Sequence, residues 1–491
     1  MKKVLLFLID SMMTDVLLNC IQKGKTPALQ FFHRNGQLIP DCVTVFPTMT
    51  ASIDCSLITG EYPDRHKVPG LVWYDPSEQK IVNYINGAEP VLTIGLAQCA
   101  RNVVFDMNDR HLSSEVQTVH EELEEKGFTS GSINVIAHRG RKRYNVHPPF
   151  LLDAAAGFSL EGTTSGPTIF SMGTLVKPAI FREVPWSMSQ SPAGSLGIND
   201  VYAIDVLIEV VRSGMQPDFT LIYLPDNDHK VHKSPRLAED HLAQVDKQLV
   251  RFLDTFDTWE QALERNVFIL VSDHGQTVVG STEEHNVNLD QLLEGYATHQ
   301  LQSTNIQGDE LVICNNERMA YLYPLRDDLL FQVIETLSGE GRIDLIAWKE
   351  GEWAKVMNRG ELLSFRRGGT LRDQYGTAWT VEGEWKVLDL YQDESGVIGF
   401  DSYPDALSRL YGALFSQDVP VIIITAAPGY EFLSKHMPTH LGGGSHGSLH
   451  KQDSLIPLLI AGTNRPFVQP ARLVDIKSYV IQEVTTQAAL V

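Results

Sequence analysis

The sequence predicts an α/β chain with a doubly wound, mostly parallel central sheet flanked by helices and an inserted α+β cap. Three observations predict it. Short apolar runs end in polar, chemistry-bearing residues: Lys3–Ile9 runs into Asp10, Phe219–Leu224 into Asp226 and Asp228, and 267–271 into Ser272, Asp273 and His274. Buried parallel strands read this way, and in open α/β sheets their carboxyl ends face the ligand crevice. Helical periodicity fills the intervals between the runs. From 276 to 404 that rhythm gives way to shorter mixed segments carrying Trp348, Trp353, Trp379 and Trp385.

In chain order, Lys3–Ile9 is a central strand; its apolar run stops too early, and lacks the small-residue cleavage site, for a signal peptide. Residues 26–35 read as helix, 36–45 as extended, and Thr50–Thr59 as helix with Gly60 as its stop. A loop punctuated by Pro and Gly follows over 61–75. Residues 112–126 are an amphipathic helix and 128–135 a strand, whereas 138–198 is rich in Gly, Pro and Ser. Order returns with a helix at Asp200–Arg212, the strand Phe219–Leu224, a long helix over 235–264 with Leu242, Val245, Leu249 and Phe252 at helical spacing, and the strand 267–271. After the cap come a helix at 404–415, a strand at 419–425, the Gly-rich stretch 441–448 and a last strand at Leu455–Ala461. The chain therefore divides into a core over 1–275 with an irregular excursion at about 76–198, a cap over 276–404, and a return to the core over 405–491.

Composition narrows the function. The 491 residues are 43% hydrophobic and 21% charged, and 61 acidic against 40 basic residues leave a net charge of −21. Such a surface repels nucleic acid and anionic membrane, so no polymeric nucleic acid partner is expected. No stretch approaches the roughly 18 apolar residues of a membrane span. Five cysteines without a C-x-x-C pair fit reduced thiols in a cytoplasm better than a disulfide frame or a zinc-thiolate site.

The chemistry gathers at Asp10, Thr50, Asp228 with His232, Asp273 with His274, and His446, each at or beyond a predicted strand end or beside glycines. Thr50 falls at a helix N-terminus, where free N–H groups favour a phosphate-like anion. Its hydroxyl needs a base or a metal to become a nucleophile, and the plain alternative is that Thr48 or Thr50 caps the helix. Mixed carboxylate and imidazole donors suit zinc or a similar divalent ion. Two such ions about 4 Å apart clamp the attacking and leaving oxygens of a phosphoryl transfer.

In this order, Pro-Thr-x-Thr with Leu-Ile-Thr-Gly, Asp-x-x-x-His, Ser-Asp-His-Gly and Ser-His-Gly resemble the alkaline phosphatase superfamily, nearest its type I phosphodiesterase/nucleotide pyrophosphatase branch. The resemblance covers roughly 1–75, 200–280 and 405–465. It implies one metal held by Asp228, His232 and His446, a second held by Asp10, Thr50, Asp273 and His274, and a metal-activated Thr50 that forms a phosphothreonine intermediate. Zinc is the expected metal, with manganese and iron as alternatives. Asp226 and His229 remain substitutes for the Asp228 pair. A small phosphate ester is the expected substrate, of diester or pyrophosphate type. Monoesterase, phosphonate hydrolase, phosphotransferase or mutase activity, and a non-catalytic metal-binding module, stand as alternatives.

The sequence departs from the branch at three places. Leu71 stands where the resemblance implies a phosphoryl-binding asparagine, and Ile53 and Asp54 replace the asparagine and histidine that usually follow the nucleophile. Lys67, Arg139 and Arg141 are candidate compensating donors. A sulfatase is excluded because Thr50 lacks the primary carbon of a formylglycine precursor, and Ser52 and Asp54 hold the expected Pro and Arg positions.

Overall fold

The computed structural model describes residues 1–85, 96–146, 161–181, 188–299, 306 and 308–489. The parts of the expected irregular excursion at 86–95, 147–160 and 182–187, and of the cap at 300–305 and 307, lie outside the described residues.

Lys3–Ile9 is the middle strand of a seven-stranded sheet. It pairs in parallel with Asn266–Val271 on one side and Phe219–Leu224 on the other. Beyond the latter lie Ser130–Ile133 and, at the edge, Ile169–Ser171, both parallel; beyond the former lies antiparallel Leu455–Ala461, then Gly36–Val43. One strand against the common direction makes the sheet mixed but mostly parallel. Alternation along Lys3–Ile9 feeds two cores: Val4, Leu6 and Leu8 pack with the helices Thr50–Thr59 and Ile476–Ala489, while Leu5, Phe7 and Ile9 pack with Thr14–Gln22, Pro27–Arg34, Asp200–Arg212 and Ala238–Leu253. Helices on both faces are what a strand buried on both sides requires.

A second, nine-stranded sheet is built largely from the expected cap. Its order begins Leu311–Asn316, Met319–Pro324, Ile422–Ala426, Ile343–Glu350 and Trp353–Asn358, all antiparallel neighbours. The expectation that 419–425 returns to the core is corrected here: this strand inserts between Met319–Pro324 and Ile343–Glu350. An apolar run bounded by turns marks a buried strand but does not say which sheet buries it. Likewise the long helix at 235–264 is three pieces, a short turn at Pro235–Leu237 and the helices Ala238–Leu253 and Trp259–Arg265. The excursion expected to be irregular contributes the edge strand Ile169–Ser171.

Candidate active site

Strand register assembles the site. Ile9 lies opposite Leu224, and Leu8 opposite Val271, so three strands end level with one another. The residues that follow them, Asp10, the helix Asp226–Lys233 and the segment Ser272–His274, therefore emerge side by side. Ser11 is held at φ 54°, and its amide donates to Asp273 Oδ1 at 3.0 Å while its hydroxyl donates to Asp228 Oδ1 at 2.6 Å. Asn227 donates to the carbonyls of Asp10 and Ser11, and Tyr223 hydroxyl donates to Asp10 Oδ2.

His446 arrives from the other direction. Gly444–Ser445 pairs antiparallel with Thr277–Val278, which draws the Gly-rich stretch against the loop after Asp273 and His274. A Cβ on Gly443 would lie 2.0 Å from the His232 carbonyl oxygen, so only glycine lets the two segments approach this closely.

Thr50 is the first residue of Thr50–Thr59, and Gly60 closes that helix at φ 70°. The capping alternative is corrected: the cap position is Met49, with no side-chain cap bond. Thr48 instead accepts from the Gly447 amide at 2.8 Å and donates to the Ser448 carbonyl at 3.2 Å. Thr50 lines a cavity of about 630 Å³ together with Asp10, Asp228, His232 and His446.

The donor atoms form two adjoining groups, and a third, His232, Glu317 and His440, lies beside them. Asp10, Asp273 and His274 offer atoms within 4.8 Å of one another, as do Asp228, His274 and His446. His274 Nε2 stands 3.5 Å from Asp10 Oδ1 and 3.4 Å from Asp273 Oδ2, and all three of these buried atoms lack a hydrogen-bond partner. Three convergent, buried ligand atoms without hydrogen-bond partners fit a divalent cation, since protein interiors otherwise pair such groups. His232 Nε2 lies 3.2 Å from Asp228 Oδ2, and His446 Nε2 lies 4.0 Å from Asp228 Oδ1. The His274 and His446 rings stack at 3.6 Å between centroids, so the two groups touch.

Tautomers fit as well. His232 Nδ1–H donates to the Gly444 carbonyl at 2.7 Å, His446 Nδ1–H to Thr48 at 2.6 Å and His274 Nδ1–H to Gly275 at 3.1 Å. In the neutral imidazole each Nε2 then has a lone pair facing the carboxylates, the outer-shell arrangement seen around metal-binding histidines, and at His232 a cation would displace the second proton that Asp228 and Glu317 favour.

Electrostatics follow position. Burial, then the Asp273 and Asp228 carboxylates, push Asp10 well above the usual carboxylate range. Burial works against the charge on Asp228, yet His232, His446 and His274 hold its carboxyl well below that range. Burial likewise opposes the charge on His232, but Asp228 and Glu317 raise it to about 10. Burial dominates at His446 and lowers it to about 4.

Five of the expected site residues, Asp10, Thr50, Asp228, His232 and His446, thus line one cavity, and the buried Asp273 and His274 adjoin it behind Asp10 and His446. Asp226 does not: its amide is held by Asp200 Oδ1 at 3.0 Å, while His229 reaches the cavity wall bonded to Lys233 Nζ at 2.8 Å. The compensating donors are corrected too. Arg139 is consumed by the carbonyls of Leu112, Ser113 and Val116 and by Glu121, Arg141 pairs with Glu125, and Lys67 donates to Phe415. Leu71 does line the cavity, its amide bound by Asn316 Oδ1 at 3.0 Å. Asp54 lies one turn below Thr50, fully buried, and burial and then Asp273 push its carboxyl well above the ordinary range.

Sequence reading missed Ser11, Asn227, Tyr223, Glu317, His440 and Gln276, whose side-chain amide donates to Asp228 Oδ1 and Ser11 Oγ. Asn227 stood in view within the Asp226–His232 stretch; for Glu317, on a turn of the second sheet, no motif signalled it.

Among solved structures, the fold is similar to murine ectonucleotide pyrophosphatase / phosphodiesterase 5, with a TM-score of 0.57 at 15% identity over 99% of this chain and 95% of that one. The human protein of that name scores 0.58 at 16% identity, with the same coverage. Phosphonoacetate hydrolase from Sinorhizobium meliloti 1021, solved with phosphonoformate, scores 0.55 at 13% identity over 98% and 96% of the two chains. An inactive form of the murine protein is solved in complex with AMP. No curated protein matches the chain by sequence. The family model of type I phosphodiesterase / nucleotide pyrophosphatase, a family of phosphoester hydrolases, matches residues 4–449, and the chain belongs to that family.

Proposed function

We propose that this chain is a two-cation phosphoric ester hydrolase of the phosphodiesterase or pyrophosphatase type, with Thr50 as its nucleophile. The observation that carries this reading is the trio of unsatisfied buried donors, Asp10 Oδ1, Asp273 Oδ2 and His274 Nε2, in a group whose Asp10 shares the cavity wall with Thr50. Asp10, Thr50, Asp273 and His274 would hold one ion, and Asp228, His232 and His446 the other. Divalent ions there, zinc before manganese or iron, would supply the positive charge that lowers the hydroxyl pKa and offsets the phosphoryl oxygens.

Thr50 Oγ1 attacks phosphorus in line, the ester oxygen departs from the opposite side as an alcohol with the net gain of the threonine proton, and a phosphothreonine that keeps the second ester group results. Water then attacks that phosphorus, its oxygen and one proton leaving in the phosphomonoester product and its other proton restoring the threonine hydroxyl. The uncapped N–H groups at the start of Thr50–Thr59 face phosphoryl oxygens throughout. Met49, Leu71, Tyr84 and Ile136 on the cavity wall offer apolar surface to the organic part of a diester or nucleotide. The phosphate ester is a small molecule, and buried, unpaired cysteines support a reducing, cytoplasmic setting. Among the described residues no helix is long and apolar enough to cross a membrane.

The test is a metal-reconstituted assay of wild type and Thr50→Ala against matched aryl phosphate mono- and diesters, phosphonates and a nucleotide. Diester turnover should fall by a factor on the order of a thousand or more in the variant, with its fold unchanged. Retained turnover in Thr50→Ala would remove the nucleophile from the scheme. Preference for a phosphonate or a monoester would replace the substrate class.

A further inference from the structure

Glu317 belongs to none of the motifs, yet it stands among them. It occupies the turn between Leu311–Asn316 and Met319–Pro324, with a left-handed backbone at φ 62°. Bulky residues persist in that region where their surroundings over-determine them, and such positions cluster at ligand clamps. The surroundings here are explicit. The Phe432 amide donates to the Glu317 carbonyl at 2.8 Å, the Arg318 amide donates to the His446 carbonyl at 2.9 Å, and Ser445 hydroxyl and His446 amide donate to Glu317 Oε2 at 3.0 and 3.2 Å.

Imidazole and carboxylate then alternate around a ring. His232 Nε2 is 3.2 Å from Asp228 Oδ2, Asp228 Oδ1 is 4.0 Å from His446 Nε2, His446 Nε2 is 3.7 Å from Glu317 Oε2, and Glu317 Oε1 is 4.0 Å from His232 Nε2. Donors bound at about 2.0–2.1 Å to one zinc ion stand roughly 3–3.5 Å apart, and zinc can expand to five ligands, so a small inward shift closes the ring and still leaves a place for a phosphoryl oxygen. Both imidazoles have their Nδ1–H committed to backbone carbonyls and their Nε2 turned inward.

We propose that Glu317 is a fourth ligand to the cation held by Asp228, His232 and His446, delivered by the second sheet to a site otherwise built beside the central one. The proposal rests on the two-cation reading and deepens it. A carboxylate added to that set makes the site one charge more negative, which disfavours a doubly charged phosphomonoester relative to a singly charged diester. His440 adjoins His232 and Glu317, the ligand atoms of the three lying within 4.8 Å of one another, but its Nδ1 is bound to Glu431 Oε2 at 3.0 Å.

The experiment loads wild type, Glu317→Gln and Glu317→Asp with zinc, removes the excess by gel filtration, counts bound zinc, and times its release to a chelator; circular dichroism checks the fold. Wild type should retain two equivalents. Glu317→Gln should release one of them at least about tenfold faster and leave the other unchanged. Its ratio of monoester to diester kcat/KM should rise by roughly tenfold. Glu317→Asp keeps the charge but shortens the reach, so it should also release zinc faster, which a purely through-space role would not produce; it decides the matter if Glu317→Gln does not fold. Equal release from all folded variants overturns the proposal. Fewer than two equivalents on wild type overturns it together with the two-cation reading. Two zinc ions without turnover of any phosphoric ester overturns the hydrolase reading alone, since the release rates still judge Glu317.

Discussion

Ser11 shows how much of the site depends on a residue without catalytic chemistry of its own. Its amide and hydroxyl reach carboxylates that follow two different strands, Asp273 and Asp228, so it ties together donors of both proposed cation groups. Ser11→Ala keeps the amide bond and loses the hydroxyl one. Zinc affinity or kcat/KM should therefore drop by about ten- to a hundredfold, as when outer-shell partners of metal ligands are removed, read by competitive zinc titration. His66 illustrates a different residue-scale effect. It is fully buried, its Nδ1 accepts from the Val68 amide at 3.2 Å and its Nε2 meets Ser56 Oγ at 2.9 Å. Burial depresses it from the ordinary 6.5 to about 3. The unfolded chain gains a proton below 6.5 that the folded chain does not take up until about 3, so stability present at neutral pH is lost as pH falls across that window. The loss should approach 1.4 kcal/mol per pH unit for this group. Urea midpoints at pH 7.5, 6 and 5 for wild type and His66→Gln check it, the variant showing the shallower decline.

At the scale of elements, the Gly-rich stretch acts by its missing side chains. Gly443 and Gly444 lie against the His232 and Val231 carbonyls and the Gln276 side chain, and Gly447, at φ 116°, against the Asn316 carbonyl. Gly443→Ala places a methyl 2.0 Å from His232 O, and the stretch must move, carrying His446 with it. The expected cost is about 1–3 kcal/mol, the range for overpacking, with loss of one of the two zinc ions; denaturant unfolding and a metal count read both. The helix Thr50–Thr59 was legible at its end, where Gly60 stops it, whereas neither threonine of the Thr-x-Thr at its start serves as the cap, a position Met49 takes. The segment 235–264 was not legible, because Leu242, Val245, Leu249 and Phe252 keep one periodicity while the break at 254–258 carries no Pro or Gly.

Across the whole molecule, two sheets converge on one site, and a buried ion pair fastens them. Arg318, beside Glu317 on the second sheet, reaches both oxygens of Asp453 at 2.6 Å, with neither side chain exposed. Asp453 in turn accepts from the Ser448 amide at 2.9 Å, two residues past His446. Arg318→Ala leaves that carboxylate buried and unpaired, which should cost about 3–5 kcal/mol and shift the urea midpoint accordingly. Cation removal should act on the molecule as a whole too. If the folded chain alone presents the clusters, zinc at a hundredfold excess over its Kd stabilises by about 2.7 kcal/mol per site; chelation should lower Tm, and added zinc should restore it.

What the sequence determined by itself was the α/β class, and it put forward seven candidate residues at strand ends and helix starts, because a strand run and a turn residue are local and leave local patterns. Asp10, Asp228 and Asp273 were readable as neighbours only because parallel strands place their carboxyl ends together. The tertiary structure alone decided which sheet takes Ile422–Ala426, that Arg139, Arg141 and Lys67 are spent away from the cavity, that Glu317 lines it, and that Ser11 bonds both Asp228 and Asp273. Those outcomes depend on pairing and on contacts across hundreds of residues, and no local periodicity or spacing encodes a partner so distant in the chain.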